Sequence, residues 1–137
     1  MKQIVFVHDQ QESPQPRAQF LEQCGYEVFL VDNCASGMDL IRGNKPDLLL
    51  LDVLLDGENG FDFCRTVRKL YSAGELPVII TSKIYRTRSF REEAKAAGAQ
   101  AYFLRPVRLD ELAREAEELC SSNLPSLPNI VKGDRAA

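Results

Sequence analysis

No apolar run in this chain is long enough to cross a bilayer. The longest, such as Leu48–Leu51 and Val78–Ile80, span a few residues each, where a membrane helix needs about 20. The opening Met1–Lys2–Gln3–Ile4 enters a strand-like pattern directly, without the charged segment, apolar stretch and small-residue cleavage site of a signal peptide. Cytoplasmic residence is the expectation. Charge of one sign is also scarce: the formal net charge is −3 over 137 residues, which gives no electrostatic footprint for nucleic acid. Histidine occurs once, as His8. The four cysteines, Cys24, Cys34, Cys64 and Cys120, match no zinc spacing and lie far from it in sequence. They read as small apolar residues of a reduced core.

What is present is 45% hydrophobic and 27% charged residues, the balance of one globular domain able to bury a core. Short apolar runs alternate with longer amphipathic ones. Ile4–Val7, Glu27–Val31, Leu48–Leu51, Val78–Thr81 and Ala101–Leu104 read as strands. Leu48–Leu51 lacks alternation, as a central parallel strand covered on both faces does. Helices are expected at Pro14 to Cys24, at Ser36–Ile41, from Phe61 to Leu70, at Ser89 to Ala97 and from Leu109 onward. In the first, Ser13 is the expected N-cap, and Phe20, Leu21 and Cys24 share a face. Gly43 with Pro46 stops the second, and a loop with Gly57 and Gly60 precedes the third. Five strands alternating with five helices imply an α/β fold with a parallel, doubly wound sheet, since parallel neighbours need crossover helices. Residues 1–120 form the domain, and 121–137, rich in Ser, Pro, Asn and Gly, read as a tail or linker.

Ligands of an open parallel sheet sit beyond the carboxyl ends of its strands. Those ends carry His8–Asp9, Asp52, Thr81–Ser82 and Arg105–Pro106. Two carboxylates can hold a hard cation such as Mg²⁺, while a hydroxyl and a cation can bind phosphoryl oxygens. Phosphoryl transfer then depends mainly on positioning and charge neutralisation.

With these residues in order, the stretch from Lys2 to Leu119 resembles the receiver domains of two-component response regulators. An acidic pair after strand one appears as His8–Asp9. The acceptor position in Leu-Leu-Leu-Leu-Asp-Val is Asp52. Gly60 follows eight residues later, Ser82 thirty residues later, and the strand-five signature ends in Arg105–Pro106, with Tyr102 at the aromatic switch position. The resemblance implies a flavodoxin-like strand order 2-1-3-4-5. It implies Asp52, Ser82 and Arg105 as the residues of phosphoryl transfer, and Ser82 and Tyr102 as the switch. It implies Mg²⁺ as cofactor, held by Asp9, Asp52, Leu54 and His8. The implied partners are a sensor histidine kinase or phosphotransfer protein, and a downstream protein or effector domain meeting the fourth helix, fifth strand and fifth helix. Neither nucleic acid nor membrane is an expected direct partner, and no enzymatic activity is expected beyond the domain's own phosphoryl transfer and dephosphorylation.

Four departures from the family pattern stand beside the matches. His8 replaces an acid, Asp56 a proline, Lys83 a small residue and Arg105 a lysine. Asp9 and Asp52 supply two negative charges, and Arg105 with Lys83 supplies two positive ones, so the attraction for Mg²⁺ should fall. Each unit charge within ~4 Å is worth about 4 kcal/mol at an effective dielectric of 20. Arg105 could pair permanently with Asp52. The alternative reading is therefore a pseudo-receiver, a protein-interaction module that works without phosphorylation. An enzyme fits worst: the segment after strand one lacks a flavodoxin's phosphate loop, and Leu54 stands where a haloacid-dehalogenase-type phosphatase has its second aspartate. Arg86, Arg88 and Arg91 form a basic cluster that is a solvated face or a partner contact. Ala101 stands where some receivers place an aspartate used in dimer salt bridges.

Overall fold

The computed structural model describes residues 1–55, 57–83 and 88–121, without the side chains of Arg88 and Ser89. The expectations for Asp56, for Arg86, for the Arg88 side chain and for the tail beyond Ser121 fall outside these residues. The elements in chain order are β1 (Gln3–Val7), α1 (Gln15–Gln23), β2 (Glu27–Val31), α2 (Cys34–Asn44), β3 (Leu48–Asp52), β4 (Leu54–Leu55), β5 (Glu58–Asn59), α3 (Gly60–Leu70), β6 (Val78–Ser82), α4 (Arg88–Ala97), β7 (Ala101–Leu104) and α5 (Leu109–Ser121). The main sheet runs β2-β1-β3-β6-β7, all parallel. Setting aside the β4–β5 ribbon, this is the expected order 2-1-3-4-5, so the fourth and fifth strands read from the sequence are β6 and β7.

The pleat sorts the apolar residues into two layers, because successive side chains on a strand point to opposite faces. Ile4, Phe6, Leu48, Leu50 and Ile79 pack with Leu21 of α1 and with Leu112 and Ala116 of α5. Val5, Val7, Leu49, Leu51, Val78, Ile80 and Tyr102 pack with residues of α2, α3 and α4, among them Ile41, Phe61, Val67 and Ala94. β3 is buried throughout, which is why its sequence is apolar without alternation.

Several local expectations need correction. The N-cap of α1 is Pro14 and makes no side-chain cap bond; Ser13 Oγ instead accepts from the Gln15 N–H at 3.3 Å. The buried face of α1 is Arg17, Ala18 and Leu21, while Cys24 is exposed. An arginine thus sits where the hydropathy pattern leaves a gap. α2 does not stop at Gly43 but runs to Asn44, with Lys45 left-handed at φ 49°. Glycine weakens a helix by only about 1 kcal/mol, and buried Ile41 anchors this last turn. The stretch after β3, read as a plain loop, contains an antiparallel ribbon pairing Leu54 with Asn59 and Leu55 with Glu58. Of the four cysteines only Cys64 is buried; burial pushes its thiol up to about 11, and it donates to the Ala97 carbonyl at 3.3 Å.

Candidate functional site

Asp52 is the last residue of β3 and is fully buried. Its place in the sheet is fixed by a close backbone approach. Gly60, at the start of α3, donates its N–H to the Val53 carbonyl at 2.7 Å. A Cβ on Gly60 would fall 2.5 Å from the Asp52 carbonyl oxygen and 2.8 Å from the Val53 Cα, so only glycine lets α3 start here. Asn59 caps that helix, accepting from the N–H groups of Phe61 and Asp62. Glu58 Oε1 accepts from the Cys34 N–H at 3.0 Å, tying the ribbon to the start of α2.

The Asp52 carboxylate faces α1. Arg17 donates Nη1 to Oδ1 at 2.9 Å and Nη2 to Oδ2 at 3.3 Å. Thr81 Oγ1 donates to Oδ1 at 2.5 Å, and the Asp9 N–H donates to Oδ2 at 3.0 Å. The Arg17 guanidinium lies 4.5 Å from the centroid of the Phe6 ring, and Nη1 also reaches Thr81 Oγ1 at 3.2 Å. A two-pronged contact of this kind suits the planar guanidinium, and the aromatic face adds a cation–π contact. The side chains of Arg17 and Asp52 are 5% and 0% exposed. This is a buried ion pair with its hydrogen bonds in place.

A second cluster lies beside it. Arg105 donates Nη2 to Asp9 Oδ2 and Nη1 to Glu12 Oε2, both at 2.7 Å, and its Nη1 stands 3.9 Å from Asp52 Oδ2. Asp9 Oδ1 accepts from the N–H groups of Gln11 and Glu12. Lys83, 46% exposed, reaches only Glu12 among the described residues, at 3.9 Å; a rim pair of this sort contributes little. The anticipated count of two acids against two cations therefore becomes three against three, with Glu12 and Arg17 added. Arg105, expected against Asp52, pairs chiefly with Asp9 and Glu12.

Burial raises the pKa of Asp9, and the Arg105 guanidinium, with the Glu12 and Gln11 N–H donors, outweighs that effect and holds it below its ordinary 3.8. A carboxyl whose folded-state pKa is depressed contributes stability that is present above its unfolded value and lost as pH falls through the folded value. Urea midpoints should therefore drop more steeply below 3.8 for the wild type than for Asp9→Asn. Equal slopes in that window would mean that Asp9 is not held by Arg105 in solution.

The remaining candidates sit as follows. Asp52 and Thr81 are directly paired in the sheet, so both point to the α1/α5 layer. Alternation along β6 puts Ser82, buried at 1% exposure, on the face of Ile80 with the α3/α4 layer. Its carbonyl accepts from the Arg105 N–H at 2.8 Å. The hydroxyl beside Asp52 is thus that of Thr81. Tyr102 is 1% exposed and stacks on Phe61, which stacks on Phe90. His8 is half-buried, donates Nδ1 to the Asp9 carbonyl at 2.9 Å and sets its ring edge-on to Phe6. Leu54, whose only ligand atom is its main-chain oxygen, is 38% exposed on β4. Sequence reasoning missed Arg17. The one signal available was a basic residue four before Leu21 on the helix face that had to be buried.

The response regulator receiver domain family matches residues 4–117 of the chain. The chain belongs to that family. Protein PilH of Pseudomonas aeruginosa is 32% identical over 115 residues, covering 83% of this chain and 93% of PilH. A probable transcriptional regulatory protein of Picosynechococcus is 33% identical over 106 residues, which are 72% of this chain and 41% of that protein. Among solved structures, the CheY-like receiver of Methanospirillum hungatei superposes with a TM-score of 0.78 at 27% identity, covering 88% of this chain and 94% of that one. A response regulator of Thermotoga maritima gives 0.76 at 27% identity, with 89% and 100% covered. Receiver domains are signalling modules that meet histidine kinases and output domains. No helix among the described residues is long and apolar enough to cross a membrane.

Receivers generally bind Mg²⁺ in an acidic pocket. In this receiver the donor set does not fit the ion. Mg²⁺ requires near-octahedral oxygen ligands at about 2.0–2.1 Å, yet each oxygen of Asp9 and of Asp52 already accepts from an N–H or O–H group. Among the described residues no group of three or more His, Cys, Asp or Glu side chains is arranged to hold a metal ion.

Proposed function

We propose that this receiver, spanning residues 1–120, is a cytoplasmic interaction module that works without phosphorylation, a pseudo-receiver. One observation carries the reading: the carboxylate at the acceptor position is fully buried and held by both prongs of Arg17. An attacking carboxylate oxygen must meet the phosphorus in line. Here each oxygen is occupied, and the space before it is filled by a guanidinium stacked on Phe6. Partner binding is assigned to α4, β7 and α5, where Glu92 and Lys95 on α4 and Glu111 and Arg114 on α5 are exposed.

The convergence of Asp9, Asp52 and Arg105 at one sheet edge favours a second reading. In it a histidine kinase phosphorylates Asp52, with Arg105 and Ser82 contacting the phosphoryl group, Tyr102 and Ser82 switching the output surface, and Mg²⁺ bound by Asp9, Asp52, Leu54 and His8. Intact-mass measurement after incubation with acetyl phosphate and Mg²⁺ separates the two. The pseudo-receiver gives no adduct. An adduct on the wild type that is missing from Asp52→Asn establishes the second reading and removes the first.

A further inference from the structure

Arg17 does more than block Asp52. We infer that its guanidinium has taken over the charge-neutralising place of the divalent cation, so that the folded site is complete with no metal. The inference rests on the pseudo-receiver reading and deepens it, because it says what keeps the acidic edge stable when no ion is bound.

Two buried carboxylates at the end of a sheet repel each other and lose hydration, so nearby positive charge is needed to offset that cost. Arg17 and Arg105 provide it. Arg105 serves Asp9 and Glu12 at 2.7 Å. Asp52, 3.9 Å from Arg105, depends on Arg17 at 2.9 Å. Arg17 cannot be an incidental surface residue that happened to fold inward. It projects from the buried face of α1, between Phe6 below and Thr81 beside it, and its charge is matched by Asp52. Removing the guanidinium leaves a buried acid next to Asp9, with oxygen donors turned into the vacated space. That is the arrangement a hard cation seeks.

The test is a comparison of thermal unfolding for the wild type and Arg17→Met, with and without Mg²⁺ or Mn²⁺. The wild-type midpoint should not move with metal. Arg17→Met should melt lower and recover several degrees with millimolar Mg²⁺, as ligand linkage to the folded state requires. A wild-type midpoint that climbs and saturates with Mg²⁺ overturns the inference, and so does a folded Arg17→Met that ignores the ion. If Arg17→Met does not fold at all, Mn²⁺ broadening of wild-type amide signals decides. Selective loss at Asp9, Asp52 and Val53 overturns the inference; uniform, non-selective behaviour upholds it. None of these readouts involves a phosphoryl donor, so a wild type that bound no metal yet formed an adduct would sink the pseudo-receiver alone.

Discussion

Arg17→Met is expected to destabilise the fold by about 3–5 kcal/mol, the usual cost of leaving one member of a buried ion pair without its partner. Asp52→Leu should cost a similar amount, because Arg17 is then stranded between Phe6 and Thr81. The double replacement should cost far less than the two singles together, since no charge is left buried. Such non-additivity is what a double-mutant cycle measures, and urea unfolding of the four proteins provides it. Additive losses would mean that the two side chains do not depend on each other. The double variant would then also retain a hydrophobic surface against Phe6, so the comparison isolates the charges from the packing.

The second large effect is expected at another arginine, remote from the strand ends. Arg68 of α3 donates Nε to the Gly98 carbonyl at 2.9 Å, Nη1 to the Leu76 carbonyl at 2.7 Å and Nη2 to Gln100 Oε1 at 2.8 Å. Gln100 Oε1 accepts in turn from the Val78 N–H at 2.8 Å. One side chain thus holds together the end of α3, the entry to β6 and the turn from α4 into β7. Gly98, at φ 101°, makes that turn in a conformation other residues rarely adopt. Hydrogen bonds to a charged donor contribute about 1.5–3 kcal/mol each, and water can replace some of them at this partly exposed site. Arg68→Met should therefore lower stability by about 2–4 kcal/mol, with amide shifts concentrated at Gly98–Gln100. A loss within about 0.5 kcal/mol, the range of an ordinary surface change, would assign the clamp to the backbone alone.

The two arginines also explain what the sequence could and could not convey. The parallel, doubly wound class and the placing of Asp9, Asp52 and Arg105 at one edge were readable, because each follows from runs of apolar residues and from what ends them; the strand order came with the family resemblance. Leu48–Leu51 carries its burial in its composition. Arg17 does not: on a pattern of apolar spacing it counts as polar and is assigned to water, and only the register of α1 against Phe6 shows where its long side chain goes. That Thr81 and not Ser82 bonds Asp52 escaped the sequence for a related reason. Counting thirty residues from Asp52 gives a position along the chain, whereas the sheet pairs Asp52 with Thr81, and alternation turns the next residue to the other side. Lys83 was weighed as an inward charge and lies at the rim, since nothing in a sequence says whether a residue just past a strand end points in or out. Cys24 was expected inside for its chemistry, yet it ends α1 beyond the buried turn.

The pleat of β3 and β6 also keeps two groups of side chains apart. Asp52 and Thr81 belong to the layer of α1 and α5, while Tyr102, with Phe61 and Phe90, belongs to the layer beyond the sheet. The sheet itself stands between the ion pair and the aromatic stack. A change of side chain at Arg17 or Asp52 therefore reaches the aromatic stack only through the sheet.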